Sequence, residues 1–260
     1  MSERLSGLSG QVIVRNGDEL DYCWREAVRS LLPVCDEVWI CDAESTDGTF
    51  DEMKDWVKRE PKLMYARYPW PNPVANPRFV IEWINWTRQF MRYDMHIFLA
   101  ADEVLGDTSY PGIRKSVEDK QPRWVRRLNF WQDAQHLAPE GTVCGSLGAQ
   151  IGPTDWFMPL DELYPEGEPE MREKALRDWS LVVFHYGFIR KPGAFLKKSR
   201  VMQKAIMNMY DNRLLKAETE GTDWVKECPF PPEFPLGLYD GRHPPVAYNW
   251  LQERGHKITP

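Results

Sequence analysis

The chain has 260 residues, of which 42% are hydrophobic and 28% charged, and its formal net charge at pH 7 is −6. This is the composition of a globular protein with a substantial core, and it argues against disorder or low complexity. The acidic balance excludes a molecule-wide electrostatic nucleic-acid binder.

Residues 11–14 form a short apolar run that stops at Arg15-Asn16-Gly17-Asp18. Leu20, Trp24, Ala27, Val28 and Leu31 then recur at helical spacing. The pattern predicts a strand, a polar turn and an amphipathic helix closed by Pro33. Residues 37–41 predict the next strand, rich in β-branched and aromatic residues without polar alternation, as expected where both faces are covered. Asp42 stands at its tip. After the turn over 44–48, Phe50, Met53, Trp56 and Val57 mark a second helix, with Asp47 and Thr49 supplying turn and capping chemistry rather than catalysis. Residues 62–66 predict a third strand. The proline-rich stretch 68–77 predicts a surface loop. A helical stripe over 77–93 follows, and residues 96–101 predict a buried fourth strand ending at Asp102.

Strand and helix alternate over 11–105, which predicts one doubly wound α/β half. Further on, 123–131 and 181–186 predict strands and 193–215 a long helix. The proline-rich residues 229–247 predict a tail wrapped on the body. No internal repeat or flexible linker divides the chain.

Nothing in the first ten residues resembles a charged segment leading into an apolar core, and no apolar run is long enough to span a bilayer, so the sequence reads as cytoplasmic. Cys23, Cys35, Cys41, Cys144 and Cys228 are odd in number and form no CxxC pair, as expected of free thiols rather than a disulfide framework or a zinc site. Twelve tryptophans are unusually many. Most belong to the core, although aromatic faces also take up the apolar faces of sugars.

The chemistry concentrates where buried strands run into carboxylates, in EVWICDAESTDGT (37–49) and MHIFLAADEVL (95–105). Ligands of open α/β sheets bind beyond the carboxyl ends of the strands. Asp42, Asp102 and Glu103 are therefore placed to share one crevice and jointly hold a cation and a polyanion such as a nucleotide diphosphate. Magnesium and manganese prefer carboxylate oxygens, taking one or two along with substrate phosphates. Acids at strand tips also simply cap turns. The absence of GxGxxG and GxxxxGK[ST] removes the main support for dinucleotide and P-loop readings.

The succession VRNGDEL, DEVWICDAESTDGTFDE, FLAADEVL and VVFHYGFIRKP, spanning most of 12–192, resembles GT-A glycosyltransferases of the family 2 type, especially small bacterial and phage-encoded members. The resemblance implies a GT-A, Rossmann-like α/β fold with a mixed, mostly parallel sheet flanked by helices and a helical, loop-rich C-terminal extension. It implies a catalytic domain over 1–215, with a nucleotide-sugar half at 11–105 and an acceptor half at 106–215, and an extension at 216–260 packed on the same body. The implied activity is metal-dependent transfer of a sugar from a nucleotide-diphosphate donor, a UDP-sugar by the family's common choice, to a hydroxyl on a glycan, a small molecule or a modified nucleobase.

Carried over residue by residue, Asp42 matches the acid that contacts the nucleotide base. Asp102 matches the last acid of the DxD motif that holds Mn2+ or Mg2+, followed by Glu103. Ala100 stands where the first Asp of that motif would be. His185 matches a late histidine ligand, and a core histidine satisfied by backbone is its other reading. Arg15, Asn16, Glu44 and Ala101 fall on the donor side, and Arg190 and Lys191 would neutralise the departing diphosphate. An inverting transfer also needs a carboxylate to take the acceptor's proton, for which Asp155, Asp161 and Glu162 are rivals. The basic clusters Arg123, Arg126, Arg127 and Lys197, Lys198, Arg200 read as solvated faces, or as a site for an anionic acceptor. Two other functions remain open: a sugar nucleotidylyltransferase, for which RNGDEL is a poor triphosphate loop, and a non-catalytic nucleotide- or glycan-binding protein, which Ala100 would suit.

Overall fold

The computed structural model describes residues 3–70, 79–139, 147–155, 175–191, 193–194, 197–198 and 235–258. Among the described residues ten strands form one sheet: β1 (Leu5–Val14), β2 (Glu37–Asp42), β3 (Leu63–Arg67), β4 (Tyr93–Ala100), β5 (Glu103–Leu105), β6 (Arg123–Trp131), β7 (His136–Leu137), β8 (Leu147–Pro153), β9 (Leu176–Phe188) and β10 (Gly237–Leu238). Among the described residues the α-helices of five residues or more are α1 (Trp24–Leu31), α2 (Thr49–Val57), α3 (Phe79–Arg88), α4 (Tyr110–Asp119) and the short α5 (Tyr248–Gln252).

The strand order is β10-β7-β6-β8-β4-β1-β2-β3, with β9 on β6 and β5 on β9. β3, β2, β1 and β4 are mutually parallel. β8 is antiparallel to both β4 and β6, so β6 again runs in the direction of β4, and β9 runs parallel to β6. The fold is thus α/β, with a mixed and mostly parallel sheet flanked by helices.

Burial follows the pleat. In β2, Val38 and Ile40 join the core that includes α1's Trp24, Ala27, Val28 and Leu31, while Trp39 and Cys41 pack on the other face with Trp83 of α3. A strand buried on both faces has no polar alternation to show, which is why 37–41 reads as a continuous apolar run. β6 and β9 form a second core with Trp250 and Leu251 of α5. The described part of the C-terminal stretch therefore packs on the same body, with β10 paired to β7.

Several elements differ from the sequence expectation. β1 starts at Leu5 rather than residue 11, because its polar residues find partners inside the sheet. Ser9 Oγ donates to Glu37 Oε1 (2.7 Å), and the Arg92 guanidinium donates to Glu37 Oε2 (2.8 Å). His96 donates to Gln11 Oε1 (3.1 Å), and burial holds its imidazole well below the usual histidine range. α1 starts at Trp24 rather than Leu20 because Asn16 and Asp21 take left-handed conformations (φ 46° and 53°) and the intervening chain folds into tight turns. Gly17 lies in that turn against Trp24, where a Cβ would come within 2.3 Å of the indole.

β5, β7, β10 and α4 have no counterpart among the predicted elements. The first three are only two or three residues long, and α4 carries Pro111 and Gly112 in its first turn. Most of the predicted helix 193–215 and part of the tail 229–247 lie outside the described residues, as do Cys144 and Cys228. Cys23, Cys35 and Cys41 are buried free thiols. Among the described residues no helix is long and apolar enough to cross a membrane.

Candidate functional site

β2, β1 and β4 lie side by side and end on one edge of the sheet, with Val14 in register with Asp42 and Ile13 with Ala100. Asp42 and Asp102 therefore leave the sheet about two strand spacings apart, roughly 10 Å. β9 brings His185 to the same edge, across from Glu103 of β5.

At the β1–β2 end the two loops interlock. The Asn16 amide donates to Ser45 Oγ (2.8 Å), the Thr46 amide to Asn16 Oδ1 (2.8 Å) and the Gly17 amide to Thr49 Oγ1 (2.9 Å). Asp47 Oδ2 accepts the amides of Asp18 (3.0 Å) and Glu19 (2.8 Å). Arg15 lies over Trp70, 4.2 Å from the ring centroid, and donates to the Ala43 carbonyl (2.5 Å). Glu44, with a left-handed backbone (φ 55°), accepts the Trp70 amide (2.8 Å). Arg15, Asn16, Asp42 and Glu44 are thus brought together.

Asp42 differs from the expected open acid. Its side chain is fully buried, both carboxylate oxygens accept the Ser45 amide (3.2 Å each), and Arg67 Nε stands 3.1 Å from Oδ2. Burial raises its carboxyl above the usual range, with Ser45, Arg67 and Arg15 pulling the other way. Asp42 braces this loop, and its ion-pair partner Arg67 is 42% exposed at the side chain and packs over Phe50.

The β4–β9 end is a compact charged cluster. Asp102 Oδ2 accepts from Arg190 Nη2 (2.6 Å) and Lys198 Nζ (2.7 Å), and His185 Nε2 stands 3.7 Å away. Burial pushes the Asp102 carboxyl up, but Lys198, His185 and Arg190 together hold it well below the usual carboxylate range, so it is ionised. Burial lowers the His185 imidazole, outweighing the pull of Asp102. Its Nδ1 lies 2.8 Å from Asn129 Oδ1, which fixes the ring with Nε2 facing Asp102; a neutral imidazole protonated at Nδ1 would present the Nε2 lone pair there. Gly187 keeps the gap clear, since a Cβ there would lie 2.5 Å from His185 Nε2 and 3.0 Å from Asp102 Oδ2.

Glu103 does not join this pair. Its Oε2 accepts the Ala100 amide (2.8 Å), closing the turn after β4, and its Oε1 is bound by Arg127 Nε (2.7 Å). Ala101 is a small buried residue within that turn. Lys191 also points elsewhere, its amide donating to Asp21 Oδ2 (2.6 Å) with Nζ 4.0 Å from Asp21 Oδ1. The second cation on Asp102 is instead Lys198, which the sequence presents as part of a solvated basic run. Asn129 and Gly187 carry no sequence signal of their own, because one lies within an apolar strand and the other acts by lacking a side chain.

Asp155 lies at the opposite end of the sheet. The Thr154 amide bonds the carbonyl of Asp94 near the start of β4, and the exposed Asp155 carboxylate pairs with Arg4 at 2.8 Å. Roughly 20 Å of strand separates it from the Asp102 edge, so it cannot serve as the base there. Asp161 and Glu162 lie outside the described residues.

Among the described residues no group of three His, Cys, Asp or Glu side chains converges on a metal position. Asp102 and His185 nevertheless fit a divalent ion that takes its remaining ligands from phosphate and water. One is an ionised hard oxygen donor, the other an imidazole whose Nε2 faces the same point, and a Cβ on Gly187 would crowd both.

No family model matches the chain, and no curated protein matches it. Among solved structures it is similar to S. aureus TarS 1–349 in complex with UDP-GlcNAc, at 14% identity and a TM-score of 0.47 over 80% of this chain and 68% of that one. It is similar to the mannosyltransferase PcManGT from Pyrobaculum calidifontis in complex with GDP-Man and Mn2+, at 14% identity and a TM-score of 0.49 over 96% of this chain and 69% of that one. It also resembles GalNAc-T7 with UDP, GalNAc and Mn2+, at 11% identity and a TM-score of 0.49 over 76% of this chain and 48% of that one. At this distance the residues of the site have to speak for themselves.

Proposed function

We propose that the edge formed by the ends of β1, β2, β4 and β9 binds a nucleotide-diphosphate sugar and that the protein is a GT-A-type glycosyltransferase. The observation that carries this reading is the Asp102 cluster. One buried ionised carboxylate, a neutral histidine 3.7 Å away and two cations meet beyond the end of a parallel strand. Arg190 alone neutralises Asp102, so Lys198 leaves the cluster with one surplus positive charge suited to a polyanion.

In this reading Asp102 and His185 would hold Mn2+ or Mg2+, and the bound ion would supply positive charge for the donor's diphosphate. Arg190 and Lys198 add fixed charge to the departing diphosphate. Arg15, Asn16 and Glu44 shape the nucleotide end, about two strands away, with Asp42 bracing them from beneath. Asp161 and Glu162 are the acids proposed to take the proton of the acceptor hydroxyl. UDP-sugars are the first donors to test.

The decisive experiment is calorimetry of the full chain with uridine, guanosine, cytidine and thymidine diphosphates, with and without Mn2+, followed by assays of donor-sugar hydrolysis. Binding of one diphosphate that Mn2+ strengthens, with slow release of its sugar, supports the proposal. If no nucleotide binds and no nucleotide sugar is consumed, the proposal is wrong.

A further inference from the structure

The two cations on Asp102 are held very differently. Arg190 is locked in place. Its Nε donates to the Gly187 carbonyl (2.9 Å), its Nη1 to the Leu20 carbonyl and its Nη2 to Asp102, its side chain is fully buried, and its guanidinium lies 4.1 Å from the centroid of the Tyr22 ring. Every edge of the fork is used, so it cannot leave without opening the turn after β9. Lys198 reaches in from the surface on a flexible stem. Its side chain is 18% exposed, and among the described residues its hydrogen-bond partner is Asp102 alone, with Tyr22 5.5 Å away.

The charges make Lys198 the exchangeable member. Asp102 is already neutralised by Arg190, and the neighbouring Glu103 and Arg127 cancel each other. Lys198 Nζ is bound to the same Oδ2 atom that faces His185 Nε2, which is the atom a divalent ion on that pair would use. A carboxylate oxygen offers about two lone-pair positions, and at Oδ2 Arg190 and Lys198 fill both. Because Arg190 is locked, a divalent ion can take only the position that Lys198 holds, and a third cation crowded onto the same oxygen would be repelled strongly.

Resting on the nucleotide-diphosphate reading, we propose that Lys198 is an exchangeable internal cation: it holds Asp102 in the free protein, yields that place to a divalent ion, and then carries its charge to the donor's diphosphate. The consequence is coupled binding. A metal ion entering alone must eject Lys198 with nothing to receive it, whereas with a diphosphate present the released ammonium gains a partner, so each ligand tightens the other by the same factor.

The test is a titration of Mn2+ into the full chain, followed by the electron paramagnetic resonance signal of the free ion, for the wild type and for Lys198→Gln, Lys198→Arg and Asp102→Asn, each checked for folding by circular dichroism. Lys198→Gln is expected to bind Mn2+ about tenfold more tightly than the wild type, Lys198→Arg to stay close to wild type, and Asp102→Asn to lose binding. At saturating Mn2+, uridine diphosphate is expected to bind Lys198→Gln about tenfold more weakly than the wild type. Unchanged or weaker Mn2+ binding by a folded Lys198→Gln variant overturns the proposal. If the Mn2+ effect is present and no nucleoside diphosphate binds the wild type, the exchange at Asp102 stands while its hand-over to a diphosphate and the functional reading fall together.

Discussion

His185 Nε2 faces Asp102 Oδ2 across 3.7 Å, and the gap between them is maintained by the absence of a side chain at Gly187. Two chain segments more than eighty residues apart thus present an oxygen and a nitrogen donor to one point. Neither residue reaches that point through its own strand alone. Asp102 is set by the turn that Glu103 closes, and His185 is oriented by Asn129.

Gly187→Ala fills that gap. The added methyl would stand 2.5 Å from the imidazole, so the ring or the strand must move. Overpacking of this kind costs about 1–3 kcal/mol. The variant is expected to melt lower and to lose at least about tenfold in Mn2+ affinity, since the loss of one aligned ligand is worth that much. Thermal denaturation and Mn2+ titration of the same sample check both.

Glu103→Gln separates bracing from metal binding. Gln can still accept the Ala100 amide but leaves the Arg127 guanidinium without its carboxylate, at a cost of about 3 kcal/mol for a broken buried pair. Because Glu103 faces Arg127 and not His185, Mn2+ affinity is expected to stay within about threefold of wild type, a range of less than 1 kcal/mol. A collapse of metal binding with the fold intact would show that Glu103 is a ligand after all.

Asp21→Asn tests the clamp between the first loop and the C-terminal helix. Asp21 pairs with Arg254, whose guanidinium lies 3.7 Å from the Trp250 centroid, and both side chains are almost fully buried. Asn tolerates the left-handed backbone at this position (φ 53°), so the substitution isolates the charge. A loss of about 3 kcal/mol is expected at pH 7. Burial raises the Asp21 carboxyl, but the Arg254 hydrogen bond and the Lys191 amide outweigh it, so the folded value lies below the ordinary 3.8. The contribution is therefore complete above that ordinary value and fades as pH falls through the folded one. Melting curves of wild type and variant are expected to converge only in that acid range. Convergence near neutral pH would show that the clamp is not ionic.

Asp155→Ala is expected to leave donor binding and sugar release unchanged, because the residue stands at the far end of β4. Losing its exposed pair with Arg4 costs less than about 1 kcal/mol. A large fall in turnover at unchanged stability would return Asp155 to the list of catalytic acids.

The parallel half of the fold was readable from the chain because β2 and most of β1 are buried on both faces and its helices carry one apolar stripe. The boundaries that were missed have specific causes. Ser9 and Gln11 disguise the start of β1 because their partners, Glu37 and His96, come from other strands. The short strands β5, β7 and β10 exist only through pairing, so no local pattern announces them.

The gathering of acids at the strand ends was readable from the chain, and their partners were not. Acids at the tips of β2 and β4 and a histidine late in β9 are visible in the sequence, and so is the edge they share, because parallel strands must end on the same side of a sheet. What each acid does depends on its partners. Asp42 is paired with Arg67, Glu103 is turned onto Arg127, and the second cation on Asp102 is Lys198 in place of Lys191. By itself the sequence determined that carboxylates would gather beyond the strand ends, since hydrophobic periodicity is a local property. Only the tertiary structure decided which carboxylate stays ionised between cations beside a neutral histidine, because that balance is made by charges brought together from distant parts of the chain.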